Sequence, residues 1–276
     1  MWSRRDFLGA AAGAAALAAK SPGGLKIGVM DGVLGLSSKP EAVGVAKNFG
    51  LEGLQVTLGR TPEGGLLLED SALQAAFVAE SKKNSLPLDA TYIDILHANC
   101  LKSDTKARAL VAKGIDVTRK LNAPILMTVF FGKCAVLNRA ELDYTADVFK
   151  ELAPEAERAG IILGFENVLK AEDNLRALDR VASKAFKVYY AVGNSTNVVG
   201  VDAAQEIRLL GRDRICQFHY KDKGYLGQGK VNFSAVLAAL GSIGFSGFAN
   251  LETNSPSGSM ADDLKKNLSY LRGLEA

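Results

Sequence analysis

From residue 26 onward, short apolar runs alternate with longer stretches in which apolar positions recur every three or four residues. The short runs, at 27–30, 53–57, 86–92, 125–130, 161–165, 188–190, 215–220 and 248–251, are dominated by Val, Ile, Leu, Phe and Tyr and read as strands. The stretches between and after them, at 41–49, 72–84, 105–121, 140–159, 175–184, 203–210, 233–243 and 262–271, read as helices. Pro40 suits a first helical turn, Asp104 suits an N-cap, and Gly160, Gly211 and Gly244 stop the helices before them. Strands separated by helical crossovers pair in parallel. Eight such units close most economically as a (β/α)8 TIM barrel, a single α/β domain spanning 25–276. An open doubly wound sheet would want a Gly-rich phosphate turn after the first strand. Met30-Asp31-Gly32-Val33-Leu34-Gly35 is not one.

The first 19 residues stand outside this pattern. Ser3-Arg4-Arg5-Asp6-Phe7-Leu8 precedes a weakly apolar run of small residues, 9–19, too short for the roughly 20 residues that span a bilayer. The opening resembles a twin-arginine export signal, with small-x-small cleavage sites at Ala16-Leu17-Ala18 and Leu17-Ala18-Ala19. It implies a periplasmic or other extracytoplasmic destination and no stable membrane anchor after cleavage. An uncleaved anchor is the alternative.

A net charge of +3, with no basic run interleaved with aromatics, gives no case for nucleic-acid binding. Cys100, Cys134 and Cys216 are odd in number and widely spaced, so they are expected to be buried, inert thiols rather than a disulfide framework. The chain has two histidines, His97 and His219, so a metal site would have to rest on carboxylates.

In a barrel, chemistry sits where strands end. Glu166 and Asn167 follow the fifth strand, and Gly193-Asn194 follow the sixth. His219 lies on the seventh, with Lys221 and Asp222 after it, and Glu252 follows the eighth. Glu166, His219 and Glu252 therefore converge on one rim. Carboxylates and an imidazole suit a hard divalent cation, and two carboxylates flanking a sugar can move protons between its carbons. His97 and Lys133, after the third and fourth strands, are candidate substrate contacts, as are Asn194 and Lys221. Lys221 and Asp222 could instead form an ion pair with each other. Tyr189 and Tyr190 are expected to pack, and 224–230 could form a lid.

Several segments carry a family likeness over the whole chain beyond the signal: Gly164-Phe165-Glu166-Asn167, Val192-Gly193-Asn194, His219-Tyr220-Lys221-Asp222, 227–233, and 244–248 leading to Leu251-Glu252. With them the chain resembles the xylose-isomerase-like barrel superfamily of sugar isomerases, ketose 3-epimerases, inosose dehydratases and endonuclease IV. The resemblance implies a divalent metal, most often manganese, held by Glu166, His219 and Glu252. The fourth position, an aspartate in the family, is Ala191, which cannot ligate. The same glutamates would be the acid/base pair of a carbohydrate isomerase or epimerase acting next to a carbonyl. The alternatives are a non-catalytic carbohydrate-binding barrel and a lyase or dehydratase on an oxidised sugar. Endonuclease IV chemistry is disfavoured, since its multi-metal cluster is histidine-rich. A small carbohydrate is the expected partner, and homo-oligomerisation is left open.

Overall fold

The computed structural model describes residues 24–275. The twin-arginine signal expected at 1–19 lies outside the described residues. Eight strands alternate with eight main helices: β1 (Leu25–Met30), α1 (Glu41–Asn48), β2 (Gly53–Thr57), α2 (Ser71–Asn84), β3 (Leu88–Tyr92), α3 (Thr105–Lys120), β4 (Ile125–Val129), α4 (Arg139–Ala159), β5 (Ile162–Glu166), α5 (Ala171–Val181), β6 (Phe186–Ala191), α6 (Ala203–Leu210), β7 (Ile215–Tyr220), α7 (Phe233–Ser242), β8 (Gly247–Leu251) and α8 (Met260–Glu275). Each strand pairs in parallel with the next, and β8 pairs with β1 from Leu25↔Gly247 to Val29↔Leu251, closing the barrel. The expected (β/α)8 single domain is what the chain forms.

The helices start where side chains can satisfy their free N–H groups. Asp70, Asp104, Asn138, Asp202 and Asn232 each accept from a backbone N–H in the following turn. The main core lies between barrel and helices. There Phe130, Phe149, Phe165 and Phe186 form one cluster, with ring centroids 4.6 Å apart for Phe149–Phe186 and 4.8 Å for Phe130–Phe165. Such pairs add about 0.5–1.5 kcal/mol beyond their buried area.

Two expectations need correction. Helix α5 covers Ala171–Val181 rather than 175–184. Glu172 and Asp173 suit its positive N-terminal end, the Ala171 N–H bonds the Glu206 carboxylate, and Ala182 turns left-handed (φ 51°) and ends it. The second concerns the cysteines. Cys100 and Cys134 form a disulfide across 34 residues, and Cys216 alone is free. Sequence spacing could not show that the turns after β3 and β4 bring the two Cα atoms to 4.9 Å.

Candidate active site

Side chains two apart along a strand share the barrel interior in successive layers. In the lower layer, Asp89 Oδ1 accepts from Gln217 Nε2 at 2.8 Å and from Asn250 Nδ2 at 2.7 Å, and Gln217 Nε2 also reaches the Tyr189 hydroxyl at 3.0 Å. All four are buried, and burial pushes the Asp89 carboxyl up to about 7 despite the two amide donors. Gly28 and Gly53 make the room: a Cβ there would stand 2.8 and 2.2 Å from Asp89 Oδ2.

Two residues further along β2, β7 and β8 come Gln55, His219 and Glu252, while Glu166 ends β5. His219 Nδ1 lies 3.0 Å from Glu166 Oε1 and 3.3 Å from Glu252 Oε2. On its other side, Nε2 stands 2.6 Å from Gln55 Oε1, and the Tyr189 ring meets the imidazole edge-on at 4.6 Å. Lys221 Nζ is 2.8 Å from Glu252 Oε2 and 5.7 Å from the centroid of the Phe131 ring. Asn194 Nδ2 donates to Glu166 Oε1 at 3.4 Å.

These distances set the electrostatics. Burial alone would lower the His219 pKa, but the facing glutamates outweigh it and raise the ring to about 9. Burial would raise the Glu252 carboxyl, yet His219 and Lys221 hold it well below the usual carboxylate range. Lys221 is likewise subject to burial, and Glu252 and Glu166 keep it above its ordinary value.

The residues present fit a divalent cation. A ring nitrogen and one oxygen from each of Glu166 and Glu252 all lie within 4.8 Å of one another. Bonds of about 2.0–2.6 Å span that separation. Ala191, at the end of β6 and in register with His219, supplies only a methyl group. Three protein donors thus leave positions for water or a substrate oxygen. Beside them opens a cavity of about 460 Å³, whose lining includes Met30, Asn194, Asn197, Lys221, Lys223 and Glu252.

The other expected contacts divide. Asn194 and Lys221 reach this cavity. His97 is half-buried outside its lining, bonded to the Tyr92 hydroxyl and packed against Phe131. Burial, with Arg60 nearby, lowers its pKa. Lys133 is exposed on the turn Gly132–Cys134, away from the lining. Lys221 and Asp222 do not pair with each other. Lys221 takes Glu252, while Asp222 accepts from the N–H groups of Lys223 and Gly229. Nor is 224–230 a free lid. Leu226 N–H bonds Asn267, Tyr225 bonds Asp263, and Gly229 is tied to Asp222. Gln55 and Asp89 were missed at the sequence level. Their only signal is a polar residue inside an otherwise apolar strand.

A parallel eight-stranded barrel with two carboxylates and an imidazole gathered at its C-terminal rim defines the class of protein, a (β/α)8 barrel whose rim residues could hold a metal ion. The chain belongs to the xylose isomerase-like TIM barrel family, whose profile matches residues 43–274. It is 26% identical over 210 residues to the 2-epi-5-epi-valiolone 7-phosphate 2-epimerase of Actinoplanes sp., covering 72% of this chain and 76% of that one. Among solved structures, D-allulose 3-epimerase from Methylomonas sp. superposes with a TM-score of 0.74 at 20% identity, covering 92% of this chain and 99% of its own. The 3-keto-D-glucoside 4-epimerase of E. coli gives 0.71 at 15% identity, with 90% and 99% covered.

Proposed function

We propose that this protein is a carbohydrate epimerase or isomerase that moves a proton at a carbon next to a carbonyl, with a divalent cation, manganese first among candidates, held by Glu166, His219 and Glu252. The observation that carries this reading is the meeting of two glutamates on one face of His219 beside a cavity large enough for a sugar. Relatives named as epimerases support it: a 2-epi-5-epi-valiolone 7-phosphate 2-epimerase in sequence, and D-allulose 3-epimerase and 3-keto-D-glucoside 4-epimerase in fold. When bound, the cation supplies Lewis-acid polarisation of the substrate carbonyl. The protein's own groups do the rest. Glu166, nearly inaccessible to water and restrained by Asn194, takes or returns a proton at the carbon facing β5. Glu252, kept ionised by His219 and Lys221, serves the opposite face. Lys221 orients a substrate oxygen, and Asn194 closes the cavity on the β6 side.

The test is deuterium wash-in. The manganese-loaded protein is incubated in D2O with ketohexoses and 3-keto-glucosides, followed by mass spectrometry. One deuterium incorporated by the parent and none by Glu166→Gln or Glu252→Gln supports the proposal. No exchange with any sugar, alongside sugar-dependent thermal stabilisation, would favour a non-catalytic binding barrel, a reading to which the methyl group of Ala191 lends weight. An unsaturated product would point to a lyase.

We also propose that the protein acts outside the cytoplasm on a free sugar, polyol or keto-glycoside rather than a phosphorylated one. The Arg4-Arg5 opening supports this, as does the Cys100–Cys134 disulfide, which suits an oxidising compartment. Cell fractionation checks it: replacing Arg4 and Arg5 with Lys should trap the protein in the cytoplasm.

A further inference from the structure

We propose that Gln55 is a positioning residue that holds His219 with its Nδ1 turned to the two carboxylates. The inference rests on the metal-ligand reading for its consequence and on geometry alone for its premise. Gln55 sits in the middle of β2 and is fully buried. Its two amide ends meet different partners: Oε1 faces His219 Nε2 at 2.6 Å, and Nε2 faces Met127 Sδ at 3.2 Å. A carbonyl oxygen only accepts, so the ring must carry a hydrogen on Nε2. The reverse amide orientation would set a carbonyl oxygen against a thioether sulfur, two atoms rich in lone pairs. It would also aim an amide N–H at the ring. Met127 therefore fixes the amide, and the amide fixes the ring.

The ring has little other freedom. Tyr189 meets it edge-on, and its own hydroxyl is occupied by Gln217 in the layer below. With Nε2–H committed to Gln55, Nδ1 is the atom left for Glu166 and Glu252, and the one that would donate its lone pair to a cation. A neutral amide in this place orients the ring without adding a third buried negative charge.

Two variants separate positioning from space filling. Gln55→Met keeps length and volume but offers only sulfur, a weak acceptor; Gln55→Glu keeps an acceptor oxygen at the same reach. The first readout is the side-chain 1H–15N NMR spectrum of the metal-free protein. With only two histidines in the chain, a His97→Gln spectrum assigns the signals. A far-downfield, slowly exchanging Nε2–H of His219 is expected in the parent and in Gln55→Glu, and it should be lost or moved upfield in Gln55→Met. The second readout is manganese affinity, expected to fall about 10–100-fold in Gln55→Met and to be retained or improved in Gln55→Glu. Folding of each variant is checked by circular dichroism. A folded Gln55→Met that binds manganese like the parent would overturn the proposal. So would equal weakening by both substitutions, or a parent without a hydrogen-bonded Nε2–H. If the parent shows that resonance and loses it in Gln55→Met but binds no manganese, the positioning role stands and the metal reading falls.

Discussion

Replacing Asp89 with Asn should make the protein more stable at alkaline pH, not less. Asp89 Oδ1 is saturated by Gln217 and Asn250, but among the described residues Oδ2 has no hydrogen-bond partner, and neither has Asn250 Oδ1. Both unpartnered oxygens point at Gly28, where a Cβ would stand 2.8 Å from the first and 1.9 Å from the second. A proton on Asp89 Oδ2 would relieve the crowding of these two acceptors, and burial raises this carboxyl from 3.8 to about 7. The folded-state value is raised, so the contribution to stability is fully present below about pH 3.8 and is lost as pH rises through about 7. At 1.36 kcal/mol per unit the full swing is roughly 4 kcal/mol; relaxation and water entry reduce it to about 1–3 kcal/mol. Asn supplies N–H where the acid supplied O–H, with no ionisation to lose. Urea denaturation of parent and variant at pH 5 and pH 8 measures the difference, and other titrating groups cancel in the comparison. The parent should lose about 1–3 kcal/mol relative to Asp89→Asn between the two pH values. Parallel profiles would refute the reasoning, and so would a variant that unfolds at pH 8, since the charge itself would then be what the network needs.

His219, raised to about 9 by its glutamates, is protonated at pH 7 in the metal-free protein, so binding manganese should expel about one proton and tighten up to pH 9; calorimetry in buffers of different ionisation enthalpy reads that proton, and its absence would count against His219 as ligand. Gly193→Ala should destabilise by about 1–3 kcal/mol, because the new Cβ would stand 2.6 Å from the Lys221 carbonyl oxygen and wedge the ends of β6 and β7 apart; a thermal melt checks it, and an unchanged Tm rejects the contact. Thiol titration of the unreduced, denatured chain should find one thiol, Cys216. Reductant should destabilise the folded protein by about 2–4 kcal/mol, and the Cys100→Ser/Cys134→Ser double variant should not respond to it.

The alternation of apolar runs and amphipathic stretches was enough to read the barrel, because period-two and 3.6-residue patterns are local properties of the chain. The rim was legible for a related reason. Glu166, His219 and Glu252 each sit at a strand end, and closure of the sheet brings strand ends together whatever the helices do. What was not legible depends on loop paths. The disulfide joins two connecting turns whose course no period encodes. Lys133 looked equivalent to Lys221 in sequence, yet a short turn sends it outward. The stretch 224–230 has a lid's composition, but Asp222 and Asn267 hold it down through backbone N–H groups that a sequence does not display. Gln55 and Asp89 are single polar residues in buried strands, and their partners come from across the barrel.

Ala191 bears on how the proposed site would treat a cation. Without metal, Glu166 and Glu252 are balanced by protonated His219 and by Lys221, so the cluster is already neutral. An incoming divalent ion would displace one proton and leave an excess positive charge, which would limit affinity. Tyr189, two residues before Ala191, contacts His219 inside the barrel, so a side chain at 191 projects into the same interior one layer higher. Ala191→Asp would therefore place a third carboxylate beside the cluster and cancel the excess. Manganese affinity should rise at least about tenfold, equivalent to roughly 1.4 kcal/mol, by calorimetry at pH 7.5. Tight binding by the parent with no gain in Ala191→Asp would mean that water and substrate oxygens complete the site and that position 191 faces elsewhere. Binding by the variant alone would mean that the natural site works through its own ion pairs, with Lys221 as the resident cation.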